Sequence, residues 1–321
     1  MEIRKVQISG GSSFIISLPK EWAIKNGIKK NDKVGVIEAR DGSLVIIPKF
    51  KGKERTIEID AEGDENYIFR LLLASYIDGY NIIRLRAKEI NSFIRNVVKK
   101  FIKCSIGCEV IEEDRHSIVI KDFLSPSDLP FEKIIKRIVS VVESMHEDLI
   151  YAIRSNEKRI LEDIISRDDD VDKLHWLVSR QYNILSRNIF GEEVFTNYPL
   201  LSRILERCAD HACKIAEGIK NFNKISSSLE EKISSAELFA LKIFKLSIKS
   251  FFDKDLKKAN ECIEMAKKIN EKCAKINNEA IGKDAKSIIY IGQISDSIRR
   301  FSEYSADIAE YVTDYVIGLK E

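Results

Sequence analysis

No apolar run in this chain approaches the roughly 18 residues that a membrane-crossing helix requires. Insertion in a bilayer is therefore not expected. The opening stretch, MEIRKVQISGGSSF, begins directly with strand-like alternation and has no apolar signal-peptide core. The six cysteines, Cys104, Cys108, Cys208, Cys213, Cys262 and Cys273, include no CxxC pair and are too sparse for a disulfide scaffold. Cys104 and Cys108 could meet across a helix turn, but core or idle thiols are the plainer reading. A cytoplasmic protein is expected. Also missing are an HExxH zinc motif, a GxSxG nucleophile elbow and a Walker lysine. The usual hydrolase and nucleotide-hydrolysing classes lose their signatures, and the chain is read as a non-enzyme.

What is present is an ordinary globular composition, 44% hydrophobic and 32% charged over 321 residues, enough for two or three domains. The net charge of +2 conceals an asymmetry: residues 1–55 hold twelve Lys and Arg against six Asp and Glu, so the rest of the chain is mildly acidic. A small basic head on an acidic body suits contact with a polyanion, although a solvated lysine-rich surface gives the same count.

The first 50 residues read as a β-β-α-β-β unit. Ile3–Ser9 alternates, Gly10-Gly11 turns, and Ser13–Ser17 continues as strand. Pro19 stands at the first position of a short helix that Gly27 ends. Lys33–Ala39 and Ser43–Pro48 are strands across an Asp41-Gly42 hairpin turn. So short a unit cannot bury its apolar strands alone, and an interlaced dimer is expected. Residues 51–125 alternate as β-α-β-α-β-β, a small α/β sandwich in which no catalytic motif appears. Its strands are Arg55–Ile59, Asn81–Ala87, Cys108–Glu112 and Ser117–Lys121, and its helices Glu65–Ile77 and Ile90–Lys103. Ser125-Pro126-Ser127 marks a linker. Beyond it, apolar residues recur at three- and four-residue spacing to the C-terminus. Six helices are predicted: Pro130–Ser155, Glu157–Asn188, Tyr198–Phe222, Ser228–Phe252, Asp255–Ala280 and Lys283–Lys320.

These helices form two diverged copies of one three-helix unit, residues 126–225 and 226–321. Residues 149–174 lie over 247–272, and DHACKIAE (210–217) lies over EYSADIAE (303–310). Only the first copy keeps paired carboxylates. Asp168 and Asp172 stand one turn apart on its second helix, as do Glu206 and Asp210 on its third. On facing antiparallel helices, four carboxylates repel one another unless a cation neutralises them. Hard oxygen donors suit iron, manganese, magnesium or zinc. The Asp168–Asp170 stretch alone would equally serve as a solvated face. His211, next to Asp210, points about 100° away on a helix and is not expected as a ligand. In the second copy Ala266, Asn270, Arg299 and Glu303 occupy the four positions. Arg299 can neutralise Glu303 there, and no metal cluster is expected in that copy.

Two stretches carry a resemblance. Ser166-Arg167-Asp168-Asp169-Asp170-Val171-Asp172-Lys173-Leu174, together with Leu205-Glu206-Arg207-Cys208-Ala209-Asp210-His211-Ala212-Cys213-Lys214-Ile215-Ala216-Glu217, resembles the paired motifs of PhoU phosphate-uptake regulators. The resemblance spans about residues 130–320. It implies two three-helix repeats, an iron or zinc cluster in some members, and phosphate transporters or sensor proteins as partners. On that basis a metal is expected on Asp168, Asp172, Glu206 and Asp210, in the first repeat only. The head is similar to the AbrB/SpoVT swapped-hairpin domain through Arg4-Lys5-Val6-Gln7, Leu18-Pro19-Lys20-Glu21-Trp22, Asn26-Gly27-Ile28, Asp32 and Gly42-Ser43-Leu44. That family forms interlaced dimers and binds DNA. By family position and charge, Arg4, Lys5, Lys20 and Lys25 are the expected DNA contacts. The expected architecture is a small β/α swapped-hairpin domain (1–50), a small α/β domain (51–125) and an all-α module of two three-helix bundles. The expected protein is a dimeric, DNA-binding phosphate regulator. Two alternatives stay open: a signalling scaffold whose head only dimerises, and a metal-dependent hydrolase acting through the first-copy carboxylates.

Overall fold

A computed structural model describes the chain except for residues 1–2, 12, 33, 39–42, 49–53, 125–128, 156, 188–196, 223–224 and 319–321. The Asp41-Gly42 turn and the Ser125-Pro126-Ser127 linker lie outside the described residues.

The head contains β1 (Gln7–Ser9), β2 (Ser13–Ile15), α1 (Lys20–Lys25), β3 (Gly35–Glu38) and β4 (Leu44–Ile47). β1 and β2 pair antiparallel, with Ser9 opposite Ser13 across a turn in which Gly10 and Gly11 both take positive φ. β3 and β4 form a second two-stranded ladder. The first two strands are shorter than the alternation predicts. The reason is the lack of anything to pack on: Ile8 is 67%, Phe14 77% and Leu44 66% exposed. Apolar side chains at such exposure cannot hold a strand by burial within one copy.

The middle domain follows the predicted order. β5 (Thr56–Asp60), α2 (Glu65–Ile77), β6 (Ile82–Arg86), α3 (Ser92–Cys104), β7 (Cys108–Glu113) and β8 (Ser117–Asp122) build one sheet in the order β5-β6-β8-β7. β5 and β6 are parallel, and the other neighbours are antiparallel. Asp64 caps α2 through the Tyr67 amide, and Asn91 caps α3 through the Ile94 amide. Ile68, Leu72 and Tyr76 of α2 and Val97 and Phe101 of α3 fill the core against Ile83, Leu85, Ile118 and Ile120 of the sheet. Cys104 ends α3 while Cys108 is buried at the start of β7, so the two do not share a helix turn.

The helical module comprises α4 (Phe131–Ser155), α5 (Lys158–Ser186), α6 (Asn197–Lys220), α7 (Ser227–Asp253), α8 (Leu256–Ala266), α9 (Ile269–Asn278) and α10 (Ala285–Gly318). The single helix predicted over Asp255–Ala280 is two helices, broken at Lys267–Lys268. No Gly or Pro marks the break. Its cause is tertiary: Ala259, Cys262 and Ala266 pack in a small cluster with Ile243, Ala309 and Val312. Ile269, Cys273 and Ile276 instead enter the main core. The kink lets one stretch of chain serve both.

The two three-helix units are fused rather than adjacent, since one continuous core draws side chains from α4, α5, α6, α7, α9 and α10. Gly218 of α6 lies where a Cβ would come within 2.7 Å of Ile294 on α10, so the close crossing of these helices depends on it. In the same core His146 of α4 donates from Nδ1 to Glu237 of α7, lies 3.3 Å from the Cys208 carbonyl through Nε2, and stacks on Phe301. The pair ties one unit to the other in a place that neither helix alone would make polar. Among the described residues, no helix is long and apolar enough to cross a membrane.

The middle domain docks on the C-terminal half of α5. Trp176 packs on its core. Arg180 and Asn183 of α5, and Arg187 directly after it, donate to the carbonyls of Tyr76, Ile77 and Asp78 at the C-terminus of α2. A helix end leaves such carbonyls without partners inside the helix, and here another helix supplies them. Gly79, at φ +85°, turns the chain at this point; a Cβ there would sit 2.7 Å from Ile184.

Candidate metal centre

α5 carries Asp168 and Asp172 on an unbroken stretch, and α6 carries Glu206 and Asp210. The two helices pack together through Leu161, Ile164 and Val171 on one side and Leu205, Ala209 and Ala212 on the other. All four carboxylates are half-buried in this seam. Their proximity is read from their mutual electrostatics. Burial raises Asp168 to about 6, assisted by Asp210 and Glu206. Burial raises Asp172 to about 7, assisted by Asp168, Glu206 and Asp210. Glu206 is also raised, by burial and then by Asp210. Asp168 Oδ1 and Glu206 Oε2 are buried without a hydrogen-bond partner. Among the described residues none of the four forms an ion pair.

The structure thus gathers the predicted residues into one acidic seam. It does not close them into a cage: among the described residues, no group of three or more His, Cys, Asp or Glu side chains stands in metal-holding geometry. The donor chemistry and the two orphaned carboxylate oxygens fit a hard cation, since buried charge left uncompensated is costly.

Sequence reasoning missed two neighbours. Lys214 is the cation common to the fields of Asp168 and Glu206. The buried thiol of Cys213 lies in the same field, pushed up by burial and then by Asp168 and Asp210. Both lie about one turn after Asp210, a spacing that could have flagged them. His211 faces α10, where its ring meets Tyr304. Burial and Lys214 lower it to about 4.

In the second copy the equivalents of Asp168 and Asp172 are Ala266 and Asn270, and the break between α8 and α9 falls between them. Arg299 pairs with both Glu303 and Asp296, and Arg300 reaches Glu303 at 3.2 Å. Asp296 and Glu303 of this copy are compensated by arginine.

The four head cations are exposed, with Arg4 and Lys5 before β1 and Lys20 and Lys25 at the two ends of α1.

Residues 135–219 and 233–312 match the family described as PhoU domain, and residues 7–54 match the family described as antidote-toxin recognition MazE, bacterial antitoxin. Two solved structures share the helical fold. The phosphate transport system regulatory protein PhoU from Streptococcus pneumoniae aligns with a TM-score of 0.53 at 18% identity, over 58% of this chain and 92% of its own. PhoU from Pseudomonas aeruginosa aligns at 0.55 and 14% identity, over 59% and 96%. No curated protein matches the chain by sequence.

Proposed function

The chain belongs to the PhoU domain family, and from that premise we propose that it is a dimeric regulator of phosphate uptake or phosphate-responsive transcription. The head binds DNA, and the helical module binds metal and partner proteins. The observation that carries this reading is the head itself, which exposes apolar strands alongside Arg4, Lys5, Lys20 and Lys25. A second copy covers the strands, and the doubled set of cations then meets nucleic-acid phosphates. Asp168, Asp172, Glu206 and Asp210 would hold iron or zinc in the first repeat, supplying the positive charge that the acidic seam lacks. The protein works in the cytoplasm, where phosphate transporters or sensor proteins are its partners through the helical surface. Its family is regulatory, and hydrolysis of a phosphoester is not part of this reading.

The test is a mobility-shift assay with DNA from the gene's own upstream region. The expected result is a retarded band whose affinity falls steeply with salt, at a slope of about −0.9 per phosphate contact. Alanine at Arg4, Lys5, Lys20 and Lys25 should flatten that slope while sedimentation still reports a dimer. A dimer with no shift at low salt on any upstream fragment would favour the alternative, a signalling scaffold whose head only dimerises.

A further inference from the structure

Beside the first strand of the middle domain runs a groove that neither the head nor the acidic seam uses. It has a volume of about 600 Å³ and lies between β5 and α2, with Ile57, Ile59, Leu71 and Ala74 along its apolar part. Asp60 and Glu62 stand at one end and Asp78 at the other.

β5 is an edge strand, paired only with β6 among the described residues. Which of its backbone groups are open follows from the bonds it makes. The Arg55 carbonyl accepts from Asn81 and Ile82, and the Ala61 amide donates to the Arg86 carbonyl. Odd-numbered residues therefore face β6, and the N–H and C=O groups of Thr56, Glu58 and Asp60 face outward. An edge of unpaired backbone groups next to an apolar groove is the arrangement that accepts an added strand.

Charge selects the occupant. Glu58 is compensated by Arg86 at 2.8 Å, and Asp78 by Arg55 and Arg187. Among the described residues Asp60 and Glu62 have no ion-pair partner. A second copy of β5 laid alongside would set Glu58 and Asp60 against their own duplicates, and like charges across a strand pair destabilise it. A basic strand meets no such penalty. Side chains alternate along a strand, so an added strand turns one set toward Leu71 and Ala74 and the other toward Glu58 and Asp60. The first set must be apolar and the second basic.

We propose that the groove between β5 and α2 docks an extended segment of a partner protein, in which Lys or Arg alternates with apolar residues, as an added edge strand on β5.

The experiment uses the full chain and a fluorescein-labelled Lys-Val-Lys-Val-Lys-Val-Lys peptide, read by anisotropy. Saturable binding is expected. The Glu-Val alternating counterpart, and the parent peptide with its central Val-Lys pair replaced by Pro-Pro, should each bind at least tenfold more weakly, because one of any two adjacent residues supplies a ladder N–H and proline cannot. Asp60→Lys/Glu62→Lys and Ala74→Arg alter exposed positions; each should lower affinity at least tenfold with an unchanged circular-dichroism melt. Equal binding by the proline peptide would mean unspecific attraction of charge and overturn the proposal. So would wild-type affinity in both protein variants. If Ala74→Arg alters the sedimentation of the protein but not its peptide affinity, the groove belongs to a second copy and the proposal fails.

Discussion

Arg180→Ala is expected to lower the stability of the middle domain and its docking by about 3–5 kcal/mol, the usual cost of leaving one member of a buried ion pair alone. Arg180 and Asp122 have side chains 2% and 1% exposed. The guanidinium donates from Nε and Nη2 to one Asp122 oxygen at 2.9 and 2.5 Å, donates from Nη1 to the Tyr76 carbonyl, and lies 4.7 Å above the Tyr76 ring. Truncation strips Asp122 of its cation and leaves only the Leu124 amide, at 2.9 Å, on its other oxygen. It also leaves the Tyr76 carbonyl with the Gly79 amide alone, at 3.0 Å. Lysine is a poor substitute, because one ammonium cannot reproduce the fork that serves two partners at once. The loss should be local. Urea unfolding followed by circular dichroism should split into two transitions, the earlier one for the middle domain, and limited proteolysis should cut residues 56–122 first. Arg180→Met/Asp122→Leu should recover most of the loss, since an apolar pair leaves no buried charge. Equal midpoints for wild type and Arg180→Ala would mean that the clamp does not hold the middle domain in place.

None of that clamp was legible in the sequence. Arg180 sits in a polar stretch, Ser179-Arg180-Gln181, that reads as helix surface, and its partner is 58 residues away in another domain. The His146–Glu237 pair is 91 residues apart and equally silent. By contrast, the middle-domain elements were legible because each is local: period-2 alternation, a capping Asp64 or Asn91, and Gly79 after the helix. The carboxylate seam was legible because i, i+4 spacing fixes a helix face, and the short-range repeat of helices makes α5 and α6 neighbours. What escaped was tertiary in origin. The kink at Lys267–Lys268 has no local breaker, and the fused core of the two units arises only when α4 and α6 meet α7 and α10. In the head the same logic runs in reverse. The alternation of Ile3–Ser9 describes a longer strand than the exposed apolar residues of one copy hold.

In metal-free protein Asp168 and Asp172 are expected to contribute a loss of stability as pH rises from about 4 to about 7, opposite in sign to the gain from the buried His175 and His211, both lowered to about 4, so the pair is read from the difference between wild type and Asp172→Asn. Asp168 and Asp172 keep their protons until about 6 and about 7 in the folded chain, whereas an ordinary aspartate loses its proton near 3.8. Between those values the two aspartates hold more protons in the folded than in the unfolded state, so their contribution to stability declines with pH and levels off above the folded values. Solvent reaches these half-buried groups and screens much of the interaction. The net loss should be about 1–3 kcal/mol rather than the full sum of the shifts. Asp172→Asn removes one of the four charges. It should raise the melting temperature of chelator-treated protein at pH 8 and remove the decline between about pH 4 and 7 that Asp172 contributes, while Asp169→Asn, on the exposed side of the helix, should do little. A cation reverses the preference. Iron or zinc added at pH 8 should stabilise the wild type and fail to stabilise Asp172→Asn to the same degree, because the charge whose removal relieves the empty seam is the charge a metal needs. Elemental analysis of protein purified without chelator supplies the independent measure, with Asp168→Ala/Asp172→Ala beside the wild type. Equal metal content in the two would sink the assignment of the cation to these residues. The same pH dependence in chelated Asp172→Asn as in chelated wild type would instead show that the four carboxylates do not share the seam. Only the sign reversal between chelated and metal-loaded Asp172→Asn marks a site whose acidity is kept at a cost in stability for the sake of a cation.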